Sequence, residues 1–595
     1  MAAENSLPTI PITPFTHGCN QKTKATIFWL VLSLLGLLSG ACSTNTKDSG
    51  GTASADTQLP FREITQTTGI DFVHENGFTG VYFLSEIMGA GAALFDYDND
   101  GDQDLYLVQS HDLSAEEPHL PNTQFHDRLY RNTWVETGRL MFEDVTAASK
   151  IEAFGYGMGV AAGDYDNDGW VDLYITNLGS NQLLRNLGNG TFEDVTAKVG
   201  VDDPSWSVSA SWVDYDRDGW LDLYVGNFSD FNYDNNRQCF GANRDYCSPL
   251  SYAATLDTLF RNRGDGTFEN VSESSGIHQA TGRALGVIAA DYNNDGWMDI
   301  YIANDSSENQ LWTNQKNGTF KDIAMLAGAA LNRTGMPEAS MGVDAGDFDN
   351  DGDEDLFMTH LGNQTNTIYL NDGNGWFEDY SHASGLGAPS LPFTGFGTAW
   401  FDYDNDSFLD IFIANGAVKR PVQHELSQGM TPYNQRNQLF RNRGNGTFSE
   451  IIPPPETSLA VEEVSRSAAF GDLDNDGDPD IVLTNNAGPT RVYENQVGQN
   501  STWVGLKLVN SVGRDDLGAK IQIVFTDGSS LWRRCRTDGS YASSNDSRVL
   551  FGIPEGKKTL ASLSVHWSDG THENFPPPAL KRYTILVQGN GNVSK

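Results

Sequence analysis

Four oxygen-bearing side chains recur at the first, third, fifth and ninth positions of a short loop, seven times along 595 residues. The copies are Asp96, Asp98, Asp100 and Asp104; Asp164, Asp166, Asp168 and Asp172; Asp214, Asp216, Asp218 and Asp222; Asp291, Asn293, Asp295 and Asp299; Asp347, Asp349, Asp351 and Asp355; Asp402, Asp404, Asp406 and Asp410; and Asp472, Asp474, Asp476 and Asp480. With Asn293 the one amide, 27 carboxylates are concentrated in seven loops and call for a cation. Alternate acids point inward when a loop curls around a hard ion, and a glycine at position 6 permits the turn. A carbonyl at position 7 and the acid at position 9 then complete an oxygen shell of the size Ca²⁺ prefers. An EF-hand opens the same way but closes with Glu at position 12 between helices; here position 12 is Ile175, Val225 or Ile302 and the flanks alternate like strands. The metal-free alternative, a row of Asx turns, gives no reason for an acid at position 9. The expected cofactor is Ca²⁺, up to seven ions, with a strained or weaker sixth loop because Ser407 replaces the turning glycine.

The flanks indicate what positions these loops. A small-residue strand precedes each, as at 158–162, and an alternating strand follows, as at 171–175. A third strand such as Gln182–Asn186 then leads through a Gly-Asn-Gly or Gly-Asp-Gly hairpin into a fourth, as at 191–195. Four short antiparallel strands per repeat make a propeller blade. The expected fold is all-β: a seven-bladed β-propeller over residues 60–496, followed by a small C-terminal β domain over 502–592. The seventh copy lacks its last strand after Asn495, while residues 61–65 read like 142–146. The N-terminal strand is therefore expected to complete blade seven and remove the open edges.

The repeats resemble the FG-GAP/VCBS propeller repeats shared with integrin α-subunits. Taken with the tail, they resemble the cartilage acidic protein family, which ends in an ASPIC/UnbV domain. Asn510, Gly518-Ala519, Gly539-Ser540-Tyr541, Phe551-Gly552 and Val565-His566-Trp567-Ser568-Asp569-Gly570 carry the second match. The resemblance spans residues 60 to 592.

A net charge of −41, which seven Ca²⁺ would bring to −27, speaks against nucleic acid as a partner. Residues 27–38 form an apolar run after Lys22 and Lys24, short for a membrane span and of signal-peptide length. Small residues before Cys42 resemble a bacterial lipoprotein cleavage box, which makes Cys42 the lipidation candidate and the membrane a partner through that anchor. Plain secretion and an uncleaved anchor are the alternatives, and all three export the chain. Residues 1–42 are read as leader and 43–59 as a flexible linker. Cys239 and Cys247 share one polar insertion, where an exported compartment permits a disulfide; Cys535 has no assigned role.

Loops joining second to third strands must lie opposite the acid loops. There the chain spends its insertions, about 109–127, 227–257 and 415–436. Long loops on a rigid scaffold carry function, so the ligand candidates are Phe228, Phe231, Tyr233, Phe240, Tyr246 and Tyr433. Gln109, Asn177, Asn227, Asn304, His360, Asn415 and Asn485 end the second strands and either meet a ligand or cap turns, with capping favoured. His111, His119 and His126 near Asp112, Glu116, Glu117 and Asp127 are spaced too irregularly for a metal motif and read as a solvated loop. Arg263-Gly264-Asp265 occupies a hairpin turn. The function expected is a calcium-stabilised extracytoplasmic binding or adhesion module for a protein or polysaccharide. A calcium-assisted polysaccharide lyase and an envelope scaffold subunit are the alternatives. No compact catalytic signature occurs, and no catalytic residue is assigned.

Overall fold

Each acid loop joins the first two strands of a four-stranded antiparallel sheet, and the described residues form seven such sheets. The computed structural model describes residues 59–111, 125–240, 244–420, 431–556 and 559–593. The leader, Cys42, residues 43–58, His119, Asp112, Glu116 and Glu117 fall outside them. Blade two shows the pattern: Gly157–Gly163, Asp172–Asn177, Gln182–Asn186 and Phe192–Asp194. The first strands adjoin one another in cyclic order, and that of blade seven, Ser465–Gly471, meets that of blade one, Ala92–Phe95.

The ring closes as expected. Phe61–Glu63 is the outer strand of blade seven, with Phe61 opposite Asn495 and Glu63 opposite Tyr493. Phe61 is buried against Phe401 and Tyr403 of blade six, so the closing strand seals an apolar seam as well as an edge. Apolar clusters of this kind lie between neighbouring blades around the ring.

Two further sheets follow. Val549–Ile553, Thr502–Val509 and Tyr583–Val587 form the first, its last pair parallel. Ser530–Arg534, Lys520–Phe525, Leu560–His566, His572–Phe575 and Asn592–Val593 form the second. Residues 536–546, between the two sheets, enter the propeller channel and bond to every blade. Ser544 N donates to Ala92 O (2.9 Å) and Ser544 O accepts from Leu94 N (3.0 Å), while Val160 N donates to Ala542 O (3.3 Å). Asp538 Oδ2 accepts from Ser211 Oγ (2.7 Å) and Ala289 N (2.8 Å). Val343 N donates to Ser540 O (3.0 Å), Thr398 N to Ser540 Oγ (3.1 Å) and Phe470 N to Asn545 Oδ1 (3.1 Å). Small residues in the first strands thus do more than let blades converge. A Cβ on Gly91 would stand 2.6 Å from Ala542 O, and one on Gly159 would overlap Val208 O and stand 2.9 Å from Ala542 Cβ, so side chains there would clash with both the next blade and the inserted segment.

Candidate metal centres and the opposite face

Backbone turns preform the seven acid loops. In every loop the first aspartate accepts the N–H groups of positions 5 and 6, at 2.8–3.2 Å. Position 4 is left-handed in all seven, and Ser407 at position 6 of the sixth loop also holds φ 81°, where a side chain is strained. The ninth-position acid is buried, and one of its oxygens accepts the backbone N–H of the asparagine that ends the third strand, at 2.7–2.9 Å.

Those asparagines, 132, 186, 262, 314, 371, 442 and 495, were not singled out from the sequence, although one closes every third strand. Each Nδ2 donates to the position-2 carbonyl of the preceding blade's loop, at 2.8–2.9 Å, from Asn132 to Leu473 round to Asn495 to Tyr403. A second circuit uses position 4: Asn99, Asn167, Asn350, Asn405 and Asn475 each donate to the position-6 carbonyl of the next loop. Arg217 stands at that position in the third loop, its guanidinium 4.6 Å above the Trp297 ring.

The donor set fits a hard divalent cation. Arg185, Arg261 and Arg441 each grip one oxygen of the third-position acid, Asp166, Asp216 and Asp404, at 2.6, 2.6 and 2.7 Å. The other oxygen of each, like Asp98 Oδ1, is buried without a hydrogen-bond partner. Buried unpaired carboxylate oxygens are costly, and here they stand among other acids: the ligand atoms of Asp96, Asp98 and Asp104 lie within 4.8 Å of one another, as do those of Asp164, Asp166 and Asp172. Burial pushes Asp96 and Asp164 up to about 6, Asp214, Asp347 and Asp472 to about 7, and Asp402 to about 8. Position 7 adds acids that sequence reasoning passed over, Asp102, Asp353 and Asp478. Asp102 accepts the N–H of Val135 and Asp478 that of Gln499.

The C-terminal sheets cover this face and bring a cation toward most of the loops. Lys507 Nζ stands 3.8 Å from Asp96, and Lys520 Nζ 3.9 Å from Asp291. Arg514 Nε donates to Asn167 Oδ1 (2.9 Å), Arg533 Nη2 to Ser407 O (3.0 Å) and Arg548 Nη2 to Asp472 O (2.7 Å).

On the opposite face Cys239 and Cys247 are bonded, their Cα atoms 5.1 Å apart, and pin the hairpin of Cys239–Phe240 with Arg244–Asp245. The aromatic candidates divide. Phe228, Phe231 and Tyr246 are buried in an apolar cluster with Trp206, Tyr156 and Tyr541. Their expected ligand contact is thereby corrected, since their rings fill the space beneath the insertions. Tyr233 and Tyr433 are half-buried, while Phe240 is 70% exposed. The polar residues ending the second strands are buried; Asn177 and Asn304 cap the turns that follow them, Asn177 Nδ2 donating to Ser180 O and Asn304 Nδ2 to Glu308 O, while Asn415 Nδ2 reaches across its insertion to Arg436 O. Gln109 donates to Val73 O, Asn227 to Leu256 O and Asn485 to Pro489 O, while the N–H of His360 reaches Asn366. His111 packs against Tyr156 and His126 against Phe154. Asp265 accepts from Thr267 within its hairpin, so Arg263-Gly264-Asp265 is a turn.

Strand order and loop chemistry together define a closed β-propeller built from acid-loop repeats. The FG-GAP-like repeat matches at residues 96–175, 164–225, 230–302, 291–358, 347–413 and 429–483, the FG-GAP repeat at 465–504, and ASPIC and UnbV at 510–593. The chain belongs to the FG-GAP repeat proteins that carry an ASPIC/UnbV domain. It is similar to cartilage acidic protein 1 of Xenopus tropicalis, at 26% identity over 316 residues covering 52% of this chain and 45% of the relative. The Homo sapiens protein of that name is 27% identical over 316 residues, covering 52% and 44%. The chain thus spans less than half the length of these curated relatives. Among solved structures, YCF48 bound to D1 peptide aligns with a TM-score of 0.39 at 10% identity, over 74% of this chain and 96% of that one. The propeller assignment rests on the strand order.

Proposed function

We propose that the chain is a calcium-stabilised, exported binding module whose ligand, a protein or polysaccharide, docks on the insertion face. Bound Ca²⁺ would supply the charge that the acid loops lack, held by positions 1, 3, 5 and 9 with a carbonyl from position 7. The observation that carries the calcium reading is the set of buried, partnerless oxygens on Asp98, Asp166, Asp216 and Asp404. The C-terminal sheets cover the loop side and residues 536–546 bond to all seven blades, which supports the insertion face as the docking surface. Phe240 on its disulfide-pinned hairpin, with Tyr233 and Tyr433, is the expected contact region. Export and lipidation of Cys42 belong to the same proposal, consistent with a disulfide in the body.

The test is a glycan and protein array probed with calcium-loaded residues 59–595, beside a Phe240→Ala variant and an Ile585→Ser variant on the C-terminal sheet. Binding lost in the first and kept in the second supports the assignment; the reverse pattern overturns it.

A further inference from the structure

The sequence match to the C-terminal domain includes Val565-His566-Trp567, and nothing in the binding reading uses His566. It has a partner. His566 and His572 are directly opposed on adjacent antiparallel strands, Leu560–His566 and His572–Phe575. Their rings are 4.0 Å apart between centroids and inclined by 31°. Next in sequence to this pair, Trp567 and Glu573 are buried on the other side of the sheet, where Trp567 Nε1 donates to Glu573 Oε2 (3.3 Å). With that pair facing the domain core, alternation along each strand places both imidazoles on the opposite face of the sheet. His572 is exposed and His566 half-buried, with Trp532 packed edge-on to it at 5.4 Å.

We propose that His566 and His572 form a two-imidazole site for a borderline divalent transition metal, Cu²⁺ before Ni²⁺ or Zn²⁺, with the remaining positions open to solvent or an external ligand. Imidazole nitrogens suit these ions, and the order follows their general affinities. Two opposed residues of an antiparallel pair stand at a separation that a shared ion can bridge without moving the backbone. Lys520, opposite His566 on the neighbouring strand, shares its face of the sheet and donates to Asp291 O and Asn294 Oδ1 of the fourth acid loop, both at 3.3 Å. The site is chemically separate from the acid loops, whose oxygen donors select hard cations.

The experiment titrates Cu²⁺ into residues 59–595 held in saturating Ca²⁺, with electron paramagnetic resonance to identify the ligands. His566→Gln, His572→Gln and, as a control, His126→Gln are compared at matched melting temperature, which verifies folding. The account predicts one tight Cu²⁺ per chain with two nitrogen ligands, lost in either site variant and kept in the control. It also predicts quenching of Trp532 emission, seen as the difference from a Trp532→Phe variant. Equal Cu²⁺ binding in all variants, or a spectrum with oxygen ligands only, overturns it.

Discussion

Replacing Asn186 by leucine isolates the circuit of asparagines that ties neighbouring blades together. The Asn186 side chain is fully buried. Its Nδ2 donates to Tyr97 O in the preceding loop (2.8 Å) and Val171 O (3.3 Å), and its Oδ1 accepts from Gly188 N (3.0 Å). Leucine of similar volume leaves the buried Tyr97 carbonyl, and the half-buried Val171 carbonyl and Gly188 N–H, without their partner. A buried group left unsatisfied costs about 1–3 kcal/mol, and the longer bond at Val171 weighs least, so the total is about 3–6 kcal/mol. That is a large fraction of the ~5–15 kcal/mol by which domains are stable. Asn189→Ala is the control: its exposed oxygen accepts only from Thr191 within the hairpin, and the expected loss is about 1 kcal/mol or less. Urea unfolding in saturating Ca²⁺, followed by tryptophan fluorescence, measures both. Asn186→Leu within 1 kcal/mol of the parent, or no worse than Asn189→Ala, would refute the role given to the circuit.

Two further outcomes follow from the fold. Deleting residues 60–66 removes the outer strand of blade seven and uncovers the seam around Phe401 and Tyr403, so the melting temperature should fall far more than a seven-residue loss elsewhere at a terminus would cause; an unchanged melting temperature would disprove the closure. His74 is buried, accepts from Ala487 N through Nδ1 and pairs with Ser110 Oγ through Nε2, and burial followed by the Arg466 charge lowers it to about 3. A depressed base leaves only the unfolded chain to take up the proton, so its stabilising effect is complete above pH 6.5 and is lost as pH falls toward 3. By pH 5 the loss is about 2 kcal/mol, and His74→Gln should narrow its stability gap to the parent by that amount between pH 7.5 and 5; a gap constant with pH contradicts the assignment.

The seven four-stranded sheets and the ring closure were legible in the sequence because they rest on local spacing repeated along the chain. Period-two strands around an Asp-x-Asp-x-Asp loop leave few alternatives, and the missing last strand could be matched to residues 61–65 by pattern. The disulfide was likewise a matter of two cysteines in one insertion. Less legible were contacts between distant parts of the chain. Residues 536–546 carry turn signals suited to a surface hairpin, and nothing in their spacing says that Ala542 will sit against Gly91 and Gly159, Ser540 against Val343 or Ser544 against Ala92. Burial of Phe228, Phe231 and Tyr246 was missed for the same reason: an aromatic in a long loop reads as exposed until the loops it packs against are placed. The asparagine circuit was visible as a recurrence, but its meaning depends on which carbonyl the neighbouring blade presents.

Thermal unfolding of residues 59–595, stripped with chelator and titrated with Ca²⁺ against Mg²⁺, tests the calcium-loop reading most directly. Each loop filled at ~100 times its dissociation constant adds about 2.7 kcal/mol, so seven preformed loops predict a large rise selective for Ca²⁺, shrinking stepwise as Asp98, Asp166, Asp216 and Asp404 are replaced by alanine. Equal melting with chelator, Mg²⁺ and Ca²⁺ would mean that the carboxylates serve backbone turns alone, and the reading of the loops as metal sites would fall.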